Sequence, residues 1–329
     1  MNHTPAIADN FGRTFPYLRL SVTDICNFSC SYCLPDGYKK TGCEPFMTKI
    51  EIVRLVKAFV ALGTWKIRLT GGEPTVRKDF VEIATAVNEI PGVRRLAFTT
   101  NGYKLPKRAQ SYYDAGLRAI NISVDSLRPD QFKYITGHDR LHDVLDGIQA
   151  SFEAGFESVK LNTVLLKGYN DKELDHFIDF VKDTPVSLRF IELMRTGDNP
   201  KYFETHHLSG SVVTKKLLKR GWRALPHIEG AGPAQEFEHP DSAGTVGLIA
   251  PYSKDFCKSC NRLRIEARGN LHLCLFGEGG YNLREYLQSD DQIEELQEKI
   301  TSLMSFKRSA HFLHEGNNGV RKHLASIGG

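Results

Sequence analysis

Short apolar segments alternate with helical patterns six times between residues 17 and 194, and this alternation constrains the fold more than any other feature. Repeated strand–helix units join parallel strands through right-handed crossovers. The pattern therefore predicts an α/β protein, built either as a doubly wound sheet or as a partial (β/α)6 barrel. The predicted strands are Tyr17–Val22, Lys66–Thr70, Arg95–Thr99, Ala119–Ser123, Ser158–Val164 and Ser187–Leu193.

Helix ends can be recognised between these strands. Thr48 and Glu51 form a capping-box pattern, which apolar residues follow at helical spacing. Gly63, Gly116 and Gly155 stand where C-terminal caps are expected. The helices should therefore begin and end at definite positions between the strands.

The alternation is lost after about Arg195. Short strand-like segments follow around Thr245–Ala250 and Asn261–Glu266, and a helix is predicted from Asp291 to Met304. A chain of 329 residues is long enough for about two domains. We predict a first domain over residues 1–230, and a smaller C-terminal α+β domain over 231–329.

Composition excludes several classes of protein. A hydrophobic share of 41% and a charged share of 25% are typical of a folded chain and exclude a disordered or collagen-like one. The net charge of +4 does not predict a nucleic-acid partner, and no stretch approaches the roughly 18 apolar residues of a membrane span. The first residues do not resemble a signal peptide, so we expect the reducing cytoplasm.

In the reducing cytoplasm, spaced cysteines indicate metal ligands or catalytic groups rather than disulfides. Cys26, Cys30 and Cys33 form a C-x3-C-x2-C motif directly after the first predicted strand, where βα folds build their active sites. Three thiolates suit a [4Fe–4S] cluster with one iron free of protein ligands. A zinc site with a fourth ligand elsewhere, or buried free thiols, remain alternatives.

Polar residues at other strand ends would share this edge of the sheet. They include Gly71-Gly72-Glu73 after the second strand, although a Gly-Gly pair alone often marks only a tight turn. Charged residues also occur within strands, namely Arg19, Arg68 and Lys160. These cations predict either an anion site inside the barrel or an internal salt bridge, for instance with Glu192.

A second triplet, Cys257, Cys260 and Cys274, lies far downstream. It favours a second [4Fe–4S] cluster, and zinc with His272 as fourth ligand is the alternative. Strand alternation places Arg262 and Arg264 on one face, where they could grip a phosphate or carboxylate, or simply lie on the surface.

The first triplet, with an aromatic residue before its last cysteine, resembles the radical S-adenosylmethionine (SAM) superfamily. The two triplets together, the Asn-Arg-Leu-Arg segment at 261–264 and the C-terminal Gly328-Gly329 resemble one family within it, the GTP 3′,8-cyclases of molybdenum cofactor biosynthesis. The resemblance covers nearly the whole chain. Ile25 and Leu34 depart from the residues common in that family, and Cys43 matches none of its ligands.

The resemblance implies a partial (β/α)6 TIM-like barrel, two [4Fe–4S] clusters and SAM. Residues 1–230 would form the radical SAM domain, and 231–329 the domain for the auxiliary cluster and substrate. The implied residues fall into four groups. They are Cys26, Cys30 and Cys33 for the SAM cluster; Cys257, Cys260 and Cys274 for the auxiliary cluster; Tyr32, Gly72, Ser123 and Met194 for SAM; and Arg19, Arg68, Thr99, Lys160, Arg262 and Arg264 for GTP.

The implied activity is that of a lyase. A 5′-deoxyadenosyl radical removes the 3′ hydrogen of GTP, and the C3′ radical then adds to C8. One further electron, with a proton, completes (8S)-3′,8-cyclo-7,8-dihydroguanosine 5′-triphosphate. The implied partners are GTP, an electron donor and the downstream cyclic pyranopterin monophosphate synthase, without nucleic acid or membrane, for a cytoplasmic monomer or homodimer. In this family the terminal Gly-Gly reaches into the active site.

Two other functions compete with this one. Another radical SAM enzyme with an auxiliary cluster, such as a peptide-modifying one, would share the first triplet but has no reason to surround its cavity with cations. A zinc-stabilised binding module would need complete four-ligand sets and a strongly basic face, and neither is evident in the sequence.

Overall fold

Six parallel strands form the centre of the structure, a computed structural model that describes residues 7–40, 44–226, 232–277, 279–311, 313 and 324–328. Cys43 and Gly329 lie outside these residues. The strands are β1 (Tyr17–Ser21), β2 (Lys66–Thr70), β3 (Arg95–Thr100), β4 (Ala119–Ser123), β5 (Ser158–Leu165) and β6 (Ser187–Glu192). All six predicted strands are thus confirmed to within two residues at either end.

The strand order decides between the two predicted architectures. Each of β1 to β5 pairs in parallel with the next strand along the chain, so the order of the six is 1-2-3-4-5-6. A doubly wound sheet would reverse direction at a switch point. The structure is therefore the partial, TIM-like barrel.

Helices connect the strands in the expected βα manner. Within the barrel they are α1 (Lys49–Ala61), α2 (Phe80–Asn88), α3 (Leu105–Asp114), α4 (Pro129–Thr136), α5 (Leu141–Glu153) and α6 (Leu174–Asp183). The later helices are α7 (Pro200–His206), α8 (Ser211–Lys219) and α9 (Ile293–Leu303), and a 3-10 turn spans Ala325–Ile327 near the C-terminus.

The later strands extend both edges of the same sheet. On the β6 edge lie β9 (Thr245–Ile249), β8 (Gln235–Glu238) and β7 (Arg223–Ala224); on the β1 edge lie β10 (Arg262–Ile265), β11 (Asn270–His272) and β12 (Tyr281–Asn282). β9 is parallel to β6, and β10 is parallel to β1 with Arg264 opposite Arg19. The second cysteine triplet is thereby brought beside the first strand.

Alternation along the strands separates an apolar outer face from a polar inner one. Leu18, Leu20, Ile67 and Leu69 are fully buried and belong to the same core as Phe59 of α1. Burying each such side chain contributes about 1.5–3 kcal/mol. The alternate positions of the same strands face the barrel interior, which leaves them available for a binding site.

The predicted helix ends are confirmed. The Thr48 hydroxyl accepts a hydrogen bond from the Glu51 amide at 3.2 Å, and the Glu51 carboxylate accepts one from the Thr48 amide at 2.7 Å. Gly63, Gly116 and Gly155 follow the caps of α1, α3 and α5 with φ of 87°, 90° and 89°. Those positive φ angles favour glycine.

We expect Thr48→Ala to loosen the first turn of α1, because the Glu51 amide loses its acceptor. The cost is about 1 kcal/mol, or about fivefold faster amide exchange in that turn. Hydrogen exchange followed by mass spectrometry checks this, with Thr301→Ala as control, since the Thr301 hydroxyl bonds only within α9. Unchanged exchange at residues 49–52 in Thr48→Ala would contradict the expectation.

Candidate active site

Two adjoining cavities occupy the barrel. The smaller, of about 190 Å³, is lined by Cys26, Cys30 and Cys33 together with the carboxyl ends of β2 to β6. The larger, of about 630 Å³, is lined by inward-facing strand residues and by Cys257, Cys260 and Cys274. Asn162, Ile191 and Met194 line both cavities, so molecules bound in the two would meet there.

The first triplet lies in the loop after β1 as three free thiols. Burial raises the pKa of Cys26 to about 11 and that of Cys33 to about 12, and burial with the nearby Asp125 carboxylate raises that of Cys30 well above its usual value. Iron binding would replace these protons, because thiolates are the ligands. The donor set fits a [4Fe–4S] cluster, in which each cysteine binds a different iron.

The glycines after β2 are required by the chain's own packing. A Cβ atom on Gly72 would overlap the main-chain oxygens of Asp24 and Ile25, and one on Gly71 would overlap the oxygen of Thr23. The Gly72 amide donates to the Thr23 oxygen at 3.0 Å. The loop after β2 is thus locked against the segment that leads to Cys26, which places Gly72 on the wall of the smaller cavity.

Glu73 joins two loops of this cavity. Its buried carboxylate accepts hydrogen bonds from the Thr75 hydroxyl at 2.6 Å, the Thr100 hydroxyl at 2.8 Å and the Asn101 amide at 2.6 Å. Burial raises its pKa despite these donors. These hydrogen bonds connect the loop after β2 to the end of β3.

The remaining candidates for SAM also line the smaller cavity. Tyr32, Ser123 and Met194 are among them, and the Tyr32 hydroxyl donates to Asp125 at 2.8 Å. Burial raises the pKa of Asp125 to about 6. The four predicted SAM residues are therefore brought together around one space.

Two buried polar atoms in the smaller cavity suggest a polar ligand. Among the described residues, the Thr99 hydroxyl and the Asn162 amide oxygen have no hydrogen-bond partner. Buried polar groups are usually paired, so a bound molecule would satisfy them. Thr99, expected from the resemblance to contact GTP, lies in this smaller cavity, apart from the other GTP candidates.

The larger cavity carries a strong excess of positive charge. Its cationic side chains are Arg19, Lys66, Arg68, Arg95, Lys160, Arg189, Arg262 and Arg264. Glu236 is the carboxylate on its wall, and it pairs with Arg189 at 2.6 Å. Burial, then repulsion from Arg189, lowers the pKa of Lys160 to about 7. A polyanion is the ligand that would relieve this repulsion.

Part of this wall was not predicted from the sequence. Lys66 lies two residues before Arg68, and Arg189 follows the same inward face of β6. Tyr17 likewise stands two residues before Arg19. Side chains two apart share a face of a strand, so extending the alternation from Arg68 would have found Lys66, and from Arg19 it would have found Tyr17. No cation was predicted on β6, so Arg189 had no such signal.

The Arg68 guanidinium forms hydrogen bonds to three oxygen atoms, none of which belongs to a carboxylate. It donates to the Tyr17 hydroxyl at 2.7 Å, to the Phe98 oxygen at 2.9 Å and to the Asn121 amide oxygen at 2.9 Å. Burial opposes ionisation of Tyr17, but the charges of Arg68 and Arg19 outweigh it and lower its pKa to about 6. Glu192 bonds to His207 at 2.8 Å. The predicted alternative, a salt bridge from Glu192 to Arg68, is therefore not formed.

The second triplet also fits a cluster better than zinc. Both ring nitrogens of His272 are engaged, with the Gly279 oxygen at 2.9 Å and with Glu266 at 3.0 Å. The ring has no nitrogen left to serve as a fourth zinc ligand. Burial opposes ionisation of Cys260, yet the charges of Lys307 and Arg262 lower its pKa.

The C-terminal tail lies inside the barrel. The Gly328 oxygen accepts hydrogen bonds from Arg19 at 2.5 Å and from Arg264 at 2.9 Å. Gly328 has φ of 62°, and a Cβ atom on it would overlap Thr70. Leu324 and Gly328 line the smaller cavity, so the tail forms part of its wall.

Comparison with known proteins agrees with this arrangement. Residues 20–181 match the Radical SAM superfamily, and residues 186–313 match Molybdenum Cofactor Synthesis C. A protein of Stenotrophomonas maltophilia named GTP 3′,8-cyclase is 54% identical over 323 residues, covering 98% of this chain and 99% of the relative. One of Psychromonas ingrahamii with the same name is 52% identical, covering 100% and 97%.

The chain belongs to the GTP 3′,8-cyclase family of radical SAM proteins. The superfamily uses a [4Fe–4S] cluster and SAM, and this family carries two clusters. The fold is shared with Streptococcus suis SuiB bound to S-adenosylmethionine, at a TM-score of 0.62 and 14% identity over 90% of this chain and 69% of SuiB. Within the part of the chain that the structure describes, no helix is long and apolar enough to cross a bilayer.

We expect Gly328→Ala to release the tail, because alanine is strained at that φ and its Cβ overlaps Thr70. A loss of about 1.4 kcal/mol would make the C-terminal residues about tenfold more susceptible to carboxypeptidase, followed by intact mass. Gly168→Ala is the control, since Gly168 also has positive φ, at 82°, but no atom within 4 Å of its added Cβ. Equal digestion of both variants would contradict this role of Gly328.

Proposed function

We propose that this protein is a GTP 3′,8-cyclase, a lyase that converts GTP into (8S)-3′,8-cyclo-7,8-dihydroguanosine 5′-triphosphate in the first step of molybdenum cofactor biosynthesis. One observation carries the proposal above the others. A cation-rich cavity with one cysteine triplet opens directly onto a second cavity with another triplet. A nucleoside triphosphate and a radical source could therefore meet at Met194.

The cofactors are assigned to the two triplets and the smaller cavity. Cys26, Cys30 and Cys33 would hold one [4Fe–4S] cluster, and Cys257, Cys260 and Cys274 the auxiliary cluster. SAM would lie against Tyr32, Gly72, Ser123 and Met194. When bound, the reduced cluster and SAM would supply a 5′-deoxyadenosyl radical that removes the 3′ hydrogen of GTP, so that C3′ can bond to C8, and one further electron from the donor, with a proton, would complete the product.

The larger cavity would orient GTP. Arg68, Lys160 and Arg262 offer their charges to the triphosphate, and guanidinium groups bind phosphate oxygens in pairs. Arg19 and Arg264 already hold the tail carbonyl, and would keep the tail and the nucleotide together. Thr99 would contact the substrate from the smaller cavity, where the reacting ribose must approach SAM.

The walls also protect the reaction. Met194 and Ile191 at the junction have apolar side chains without N–H or O–H groups, so they help to exclude water, and the tail forms part of the wall of the smaller cavity. A closed site keeps a reactive intermediate from side reactions. The chain's own residues thus bind and orient GTP and SAM, and they exclude water from the site.

We extend the proposal to organisation and partners. Residues 1–230 would act as the radical SAM domain and 231–329 as the unit for the auxiliary cluster and substrate. Besides GTP, an electron donor would reduce the clusters, and a cyclic pyranopterin monophosphate synthase would use the product. The protein would work in the cytoplasm as a monomer or homodimer, without nucleic acid or membrane.

Anaerobic incubation of the reconstituted enzyme with GTP, SAM and dithionite tests the activity. We expect equal amounts of 5′-deoxyadenosine and a product with the mass of GTP but a new C3′–C8 bond, identified by mass spectrometry and NMR. Cys257→Ala is the control and should lose the product. Deoxyadenosine that forms at the same rate with and without GTP, and no GTP isomer, would contradict the proposal.

Lys160 should make GTP binding depend on pH. Its pKa of about 7 means that the free ammonium is fully charged below pH 6 and lost as pH rises through 7. A bound triphosphate favours the charged form, so binding takes up a proton and weakens about tenfold for each pH unit above 7. Arginine stays charged over this range, so in Lys160→Arg the affinity for GTP should not fall in this way. Anaerobic calorimetry between pH 6 and 8.5 measures how the affinity of each protein changes with pH. The same slope in both proteins would show that Lys160 is not its source.

A further inference from the structure

Lys307 is a buried cation behind the second cysteine triplet. It is 5% exposed, its ammonium donates to the Leu273 oxygen, and it lies 4.9 Å from the centre of the Phe15 ring. Among the described residues no carboxylate pairs with it, in contrast to the ion pairs of Arg13 and Arg268. A buried charge without a counter-charge is unfavourable, so a compensating anion is expected nearby.

The cysteine triplet is where that anion would be. Leu273, which accepts the bond from Lys307, directly precedes Cys274. A four-iron cluster held by three thiolates is negative overall, and reduction makes it more negative by the added electron. Lys307 therefore faces a group whose charge complements its own and grows on reduction.

Other cations near the triplet have partners elsewhere. Arg13 donates to the Cys257 oxygen at 3.1 Å, but its charge is paired with Asp9 at 2.6 Å. Arg262 and Arg264 line the larger cavity, where the triphosphate would neutralise them. Lys258, between the first two cysteines of the triplet, is exposed and pairs with Asp255 at 2.8 Å. Lys307 alone combines burial, contact with the cysteine loop and, among the described residues, no carboxylate partner.

We propose that Lys307 is the built-in counter-charge of the auxiliary cluster, a positioning residue that holds the chain before Cys274 and raises the cluster's reduction potential. A fixed positive charge in a low-dielectric setting stabilises the reduced cluster more than the oxidised one. The lysine thus makes the auxiliary cluster easier to reduce and a weaker reductant once reduced. The inference rests on the proposed function only for the presence of that cluster.

The test is a redox titration of the full-length, reconstituted enzyme with dithionite, followed by electron paramagnetic resonance. The signal that changes when GTP is added identifies the auxiliary cluster. Lys307→Met removes the charge at nearly constant size, and Lys307→Arg retains it. Lys258→Met is the matched control, because it removes an exposed charge that lies between two cysteines of the same triplet. Iron content is measured for every protein.

We expect Lys307→Met to shift the auxiliary midpoint potential downwards and to leave that of the SAM cluster unchanged, whereas Lys307→Arg and Lys258→Met keep the wild-type value. If Lys307→Met loses the auxiliary iron, Lys307→Gln replaces it, since its amide can still donate to Leu273. Loss of that iron from both neutral variants, but not from Lys307→Arg, also supports the proposal.

A wild-type midpoint in a neutral variant with full iron would overturn the proposal, as would an equal shift in Lys258→Met or loss of the cluster from Lys307→Arg. These results leave the cyclase assignment standing. A wild-type enzyme with a single cluster would instead contradict the proposed function, so the two failures are distinguishable.

Discussion

Repulsion among like charges inside the barrel is the constraint on which the site depends. The strands devote their outer faces to a continuous apolar core, and their inner faces carry eight cationic side chains around one cavity. Such a wall persists only if each charge is partly compensated. Arg189 has Glu236, Arg68 has Tyr17, and Arg19 and Arg264 share the Gly328 carbonyl.

This compensation of charge is incomplete, and the remaining positive charge makes the cavity prefer an anionic ligand. Burial and then this field lower the pKa of Lys160, and the same field lowers that of Tyr17 against the effect of burial. A ligand with few negative charges would leave most of the field unbalanced. A triphosphate is opposite to it in sign and brings several negative charges to one place.

Local signals predicted the strand–helix units but did not separate a partial barrel from a doubly wound sheet, because strand pairing is long-range. Strands β1 to β6 follow from their apolar runs, and α1 follows from Thr48 and Glu51, because each signal lies within a few residues. The position of β10 beside β1 depends on partners more than 240 residues apart in sequence, which no local periodicity encodes. The first triplet lines the smaller cavity, and the second triplet lines the larger one together with five of the GTP candidates. Thr99 lines the smaller cavity instead, because strand direction alone does not divide the interior.

The pairing of β1 with β10 also fixes the distance between the two cysteine triplets. The first cysteine triplet follows the carboxyl end of β1, and Cys260 stands just before the amino end of β10, with Tyr17 opposite Arg262. The two redox sites therefore sit at opposite ends of one hydrogen-bonded strand pair. Their separation grows with strand length by about 3.3 Å per residue, so the length of β1 sets the space that a nucleotide must span between them.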